Sequence, residues 1–281
     1  MESYFTKTID WKMTIGHIFK TKNCGDIRIL KQYGDFVDVE FMDTGYVKCR
    51  VSKSSVNAGI VNDPYARKVF GRGYMGECYT KDKKCWMTWH DMLRRKYDPS
   101  PRDGQYARSV EICEEWENLS AFQKWFNDNY IDGFVLDKDL LSGTLYSEDT
   151  CLYIPSSVNT MLSIRKRSSD VDPSRPVGVY KSKSKRLYNV KWTTKESHIS
   201  VDALMGERYA VEVYLDMKCS AVYKEFMKFA HIIPAERIKV FTDNLYQCVL
   251  RQCMDVSENI HYSEILKDLS TYDNMLREDL V

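Results

Sequence analysis

Asp137, Lys138 and Asp139 are three consecutive ionisable residues beside an apolar run, and Asn159 follows within the same stretch, Gly133 to Met161. A carboxylate beside a carboxamide is a hard-oxygen donor set, suited to holding Mg²⁺ or Mn²⁺ against a phosphate. The metal ligand expected here is Asp137 or Asp139, with Asn159 as the second polar group. Two short apolar runs, FVL and CLYIP, are separated by a polar, Gly-containing segment, and Ser156-Ser157 gives a helix-start signal. That pattern predicts strand, turn, strand, helix, a compact way to bring the acid and the amide together.

The rest of the chain sets limits on this chemistry. A chain of 281 residues, 43% hydrophobic and 29% charged, is globular and long enough for two or three modules with modest cores. There is no apolar run of roughly 18 residues, and MESYFTKTIDWK lacks a basic-then-apolar leader pattern. The expectation is a cytoplasmic protein with no membrane partner. Nine cysteines without a CxxC spacing read as reduced thiols.

The net charge is only +1, but the charge is segregated. Residues 81–108 carry eight basic against four acidic side chains, and residues 163–197 carry ten against three. The segment between, 109–150, carries ten acidic residues and two lysines. Two basic blocks flanking an acidic centre suit a polyanion-binding protein with a cation-binding middle. Ordinary solvated faces would produce the same blocks.

The expected architecture is α+β with several modules. Four alternating runs within residues 1–62 predict a small antiparallel β-barrel, with His17 packed in its core. Residues 63–84 read as a turn-rich linker. Its Gly71, Gly73 and Gly76 do not make a phosphate loop, because no strand precedes them. WMTWHDMLRRKYD then shows helical spacing, with Trp86, Trp89, Met92 and Leu93 on one face and Arg94, Arg95 and Lys96 near the end. A second helix is legible in LSAFQKWFNDNY, with Ser120 as N-cap.

The order WHDMLRRKYD, SVEICEEWENLSAFQKWF, VLDKDLLSGTLYSEDTCLYIP resembles the HNH-like, homing-type endonucleases of bacteriophages and bacterial mobile elements. The resemblance covers Cys85 to Met161, with Tyr97, Cys113, Trp116, Phe122, Trp125, Leu136, Asp137, Tyr146, Cys151 and Asn159 matching the family pattern. It implies a ββα-metal module over residues 85–165 and metal-dependent hydrolysis of DNA. Asp137 matches the family's metal-binding aspartate, and Lys138 stands where the general-base histidine stands. A lysine is protonated at neutral pH, so it reads as a phosphate contact rather than a base. Thr150-Cys151 replaces the second-strand asparagine, and Lys96 replaces a cysteine, which argues against a structural zinc. Cys113 and Cys151 are expected to be packing residues.

Three further strands, GVYKSK, LYNVKWT and SHISVDA, precede a long helical run from Glu207 to about Ala230. Residues 166–233 thereby resemble the APETALA-type (ethylene-response-factor-like) DNA-binding domain. The resemblance implies a sheet that enters the major groove through Lys181, Lys183, Lys185, Arg186, Lys191 and Trp192. Arg94, Arg95, Arg165, Lys166 and Arg167 would add phosphate contacts. Residues 234–281 read as a helical, increasingly acidic tail. Two functions are open at this point. One is a phage-type endonuclease acting on double-stranded DNA in the infected bacterial cell. The other is a non-catalytic relative that binds DNA or a host protein, for example against a host defence system.

Overall fold

The computed structural model describes residues 14–77, 82–101, 104–141, 143–163, 178–183, 187–193 and 198–256. The chain divides into two compact units, Met1–Asp128 and Asn129–Val281, so the division falls inside the 85–165 span. Both are mixed α+β.

Strict alternation organises the start of the first unit. β1 (Ile18–Lys20), β2 (Asp26–Tyr33), β3 (Phe36–Phe41) and β4 (Val47–Ser52) pair antiparallel in sequence order. Ile27, Ile29, Val37, Val39 and Phe41 share one fully buried face. Each such side chain contributes roughly 1.5–3 kcal/mol. The sheet does not close into the expected barrel, because β1 and β4 remain its two edges. Its apolar face is covered from outside by Val56 of α1 (Lys53–Asn57) and by Val61. His17 is also not a core residue: it is exposed and its ring meets Phe19 at a tilt, with ring centres 4.8 Å apart.

The segment expected as a linker is packed. Gly73 lies so close to the next helix that a Cβ would meet Leu93 and Trp89 at 2.4 and 2.9 Å. Tyr74 exchanges backbone hydrogen bonds with Glu117 and Leu119, and Ser120 donates its hydroxyl to the Met75 carbonyl. Ser120 is therefore not the helix cap, and its own N–H donates to the Asn118 carboxamide. The helical part of this unit comprises α2 (Lys83–Tyr97), α3 (Gly104–Ser109), the short strand β5 (Glu111–Ile112), a 3₁₀ turn at Glu114–Glu117 and α4 (Leu119–Asn129). Trp89 is buried and donates its indole N–H to the Trp116 carbonyl at 2.8 Å. Trp116 in turn meets Phe122 edge-on at 5.0 Å. Trp86, expected on the same face as Trp89, is 38% exposed.

In the second unit β6 (Phe134–Asp137), β7 (Leu145–Tyr146) and β8 (Leu152–Pro155) precede α5 (Ser156–Leu162). β6 and β8 pair antiparallel from Phe134 opposite Pro155 to Asp137 opposite Leu152. The strand, turn, strand, helix order read from the sequence is observed for β6, β8 and α5, with the short strand β7 added inside the segment expected as a turn. β9 (Val179–Lys181), β10 (Leu187–Thr193) and β11 (His198–Met205) form a three-stranded antiparallel sheet with β10 central. α6 (Glu207–Met227) and α7 (Ala235–Val256) complete the unit. α6 is apolar on more than one side because it serves two neighbours. Trp192 of the sheet meets Tyr214 edge-on at 6.1 Å, while Phe226 stacks on Phe241 of α7 at 3.7 Å. The onset of the expected acidic tail is thus a packed helix that buries Phe241, Leu245, Cys248 and Val249, whereas residues 257–281 lie outside the described ones.

Candidate functional site

β6 delivers Asp137 to the mouth of the hairpin, where the chain turns back on itself. The Leu140 N–H donates to Asp137 Oδ1 at 2.9 Å, an aspartate turn that closes over its own carboxylate and leaves it 4% exposed. Burial, and secondly the charge of Asp139, push the Asp137 carboxyl up to about 6. Lys138 points into the same turn and is buried as well. Its ammonium donates to the Asp139 carboxylate and, at 2.8 Å, to the Gly143 carbonyl, and it lies 5.7 Å from the centre of the Tyr146 ring.

α7 holds this turn from outside, a role the sequence reading did not assign to it. Arg251 donates to the carbonyls of Asp139 and Leu140 at 3.1 and 2.7 Å, and the Cys248 thiol donates to the Asp139 carbonyl at 3.4 Å. The signal was present as helical spacing of Leu245, Cys248, Val249 and Gln252, but nothing in the sequence said which carbonyls Arg251 would meet. A buried polar chain continues inward. The Gln252 amide donates to Cys248 Sγ at 3.6 Å and accepts from Lys218 Nζ at 2.8 Å, and that ammonium sits 5.3 Å from the centre of the Trp192 ring. The hairpin turn and the three-stranded sheet are therefore linked by side chains from α6 and α7. Burial raises the thiols of Cys151 and Cys248 to about 12, which disfavours the reactive thiolate at both. Cys113 is half-buried, and burial takes its thiol to about 11.

The donor set does not fit the divalent metal that the endonuclease resemblance implies. The cation facing Asp139 is already supplied by Lys138, and Asp137 is enclosed by its own turn. Asn159 is half-buried on α5, where its backbone carbonyl accepts from the N–H and hydroxyl of Ser163, and no hydrogen bond joins it to Asp137 among the described residues. The Thr150 hydroxyl donates to the Leu145 carbonyl and shares a contact with Ser147. Among the described residues, no group of three or more His, Cys, Asp or Glu side chains gathers at one point. His90 is engaged by aromatic rings, 4.4 Å from Trp86 and 4.8 Å from Phe70.

The sheet has two unlike faces. Val179, Tyr188, Val190 and Trp192 are buried on the side covered by α6. Trp192, expected as a DNA contact, is one of these core residues. Lys181 stands opposite Tyr188 in register, so it belongs to that same side, exposed at the strand end. The other face carries Tyr180 opposite Asn189, Lys191 opposite Ser200 and Thr193 opposite His198. Lys191 is exposed on it, and Lys183 is exposed just beyond β9. Gly178 starts the sheet with φ of 109°, where a Cβ would meet Tyr214 and the Lys191 carbonyl at 2.5 and 2.8 Å. On α2, Arg95 is exposed and Arg94 lies 3.9 Å from Asp91. Arg165, Lys166, Arg167, Lys185 and Arg186 lie outside the described residues. Among the described residues no helix is long and apolar enough to cross a membrane. The chain matches no protein-family model, no curated protein and no solved structure.

Proposed function

We propose that the protein binds double-stranded DNA through the uncovered face of the three-stranded sheet, and that its HNH-like hairpin is a structural element rather than a hydrolytic one. The observation that carries this reading is the contrast between the two faces. One is sealed by α6, while the other presents Lys191 among Tyr180, Asn189, Thr193 and Ser200. A polar, partly basic sheet face of this kind meets phosphates with its lysine and base edges with its hydroxyls and amide. The surrounding sequence, with ten basic against three acidic residues over 163–197, adds sequence-independent attraction. The Lys138 pairing supports the non-hydrolytic half, because an ammonium held by Asp139 and Gly143 is neither a base nor a metal.

Fluorescence anisotropy of a labelled duplex, between about 50 and about 200 mM salt, tests the reading. Affinity falls steeply with salt in the parent protein, and Lys191→Ala lowers the slope of that dependence by about 1. Absence of duplex binding at the low-salt end overturns the DNA reading and leaves a protein partner, such as a host factor, in its place. Incubation with Mg²⁺ or Mn²⁺ yields no cleaved DNA. Cleavage that disappears in Asp137→Ala would replace this reading with a metal-dependent endonuclease.

A further inference from the structure

The outer side of α2 carries a feature that the sheet reading does not use. The helix is capped by Asp82, whose Oδ1 accepts the N–H groups of Lys84 and Cys85. Cys85, Trp89, Met92 and Leu93 are its buried side. At about 100° per residue, Lys83, Trp86, Met87, His90 and Arg94 fall within a single outward arc. Trp86 and Met87 are 38% and 47% exposed, an uncommon position for two large apolar side chains on the water side of a helix.

Trp86 is also held flat. His90 stacks on it with ring centres 4.4 Å apart and planes 23° from parallel, and Phe70 packs on His90 at 4.8 Å. Phe70 reaches this place from a tight turn in which Val69 and Gly73 pair and Gly73 is pressed on Trp89 and Leu93. Its φ of 51° is left-handed, a conformation that costs a non-glycine residue energy and that sets its ring against His90. The result is a rigid aromatic platform, with lysines at one end of the helix and arginines at the other. Along α2 the cations Lys83, Lys84, Arg94 and Arg95 outnumber the acids Asp82 and Asp91, while Lys96 is taken by Glu111 at 2.9 Å.

We infer that this outer face of α2 is a binding site for single-stranded nucleic acid, with a base stacked on Trp86 and flanking phosphates drawn to Lys83 and Arg94. A duplex hides the faces of its bases within the stack, whereas an unpaired strand offers them, so an exposed flat indole between cations selects unpaired nucleotides. An apolar helix seated here would cover the Lys83 ammonium and the Arg94–Asp91 pair, which charge complementarity disfavours. The inference is independent of the sheet reading, because it concerns other residues in the other unit.

The test uses the full-length protein and labelled oligo-dT and oligo-U strands of about 12 nucleotides, a length that such sites span, with a duplex of equal length as control. The expected result is that Trp86→Ala weakens single-strand binding roughly tenfold, the share of one stacked base, and leaves duplex binding unchanged. Trp86→Phe, which keeps a stacking ring, retains most of the affinity. Arg94→Ala weakens single-strand binding and reduces its salt dependence. Lys191→Ala leaves single-strand binding unchanged, so failure here and failure of the sheet reading give different patterns. Relative affinity for oligo-dT and oligo-U tells DNA from RNA as the source of the strand. Equal single-strand affinity of the parent protein, Trp86→Ala and Arg94→Ala overturns the inference, as does competition by an acidic peptide but not by oligo-dT.

Discussion

Glu117 in the first unit and Asp137 in the second are both buried carboxylates, 6% and 4% exposed, yet they are served very differently. Glu117 has a full set of partners: the Arg67 guanidinium on one oxygen and the Tyr97 hydroxyl at 2.9 Å on the other. Arg67 also lies over the Tyr74 ring at 5.5 Å, so the acid fastens the 63–77 segment to the helices around it. Asp137 receives a backbone N–H, while the nearest ammonium, on Lys138, turns to Asp139 and Gly143. A buried carboxylate bonded directly to a cation is a structural clamp, whereas at Asp137 burial and the Asp139 charge outweigh the pull of Lys138 and push the carboxyl towards its neutral form. The hairpin of this protein therefore tolerates an acid that its surroundings do not fully stabilise, and it compensates with the grip of Arg251 and Cys248 on the turn.

The largest effect is expected of Glu117→Ala. It removes the acceptor of the Tyr97 hydroxyl and the charge partner of Arg67, which keeps the Arg72 carbonyl at 3.2 Å and is 43% exposed, and the expected loss is roughly 3 kcal/mol. Urea denaturation measures it, and a loss below about 0.5 kcal/mol would show that the pair is not a clamp. Asp137→Asn should act in the opposite direction. The carboxyl value in the folded state is raised above its ordinary 3.8 to about 6, so its stabilising contribution is complete below the lower value and is lost as pH rises through the upper one. An asparagine still accepts the Leu140 N–H but carries no charge, so the variant gains about 3 kcal/mol over the parent at about pH 8 and little near pH 4. Melting curves across that range that stay parallel for the two proteins would contradict the assignment. Lys138→Met removes the cation and keeps the stem. It costs about 1–2 kcal/mol through the unpaired Gly143 carbonyl and moves the Asp137 titration, followed by carboxyl NMR, further upward. A downward movement would mean that Lys138 does not act on Asp137 as its charge requires.

Some of this arrangement was legible in the sequence and some was not, for reasons tied to particular residues. The run FVLD, a polar turn, CLYIP and the Ser156-Ser157 start gave β6, β8 and α5, because strand periodicity and helix signals are local. The long helix from Glu207 was equally plain. The barrel was not, since alternation specifies a buried face but not whether the sheet covers it by curling or borrows Val56 and Val61. Trp192 and Trp86 were both misplaced by the same limitation. Their spacing puts them on a face of a strand or helix, but which face meets the core depends on what packs there, α6 in one case and the turn around Gly73 in the other.

By itself the sequence determined the mixed α+β character, the order of strand, turn, strand and helix around Asp137, and the position of the basic blocks. These follow from periods of two and of 3.6 residues, from caps and from charge counts, all of which act between near neighbours. Tertiary structure alone decided that Lys138 spends its charge on Asp139 and Gly143, that Arg251 and Cys248 hold the turn, and that Trp192 is sealed while Trp86 is presented to water. Those outcomes depend on groups far apart in the chain, whose meeting is fixed by packing and not by spacing.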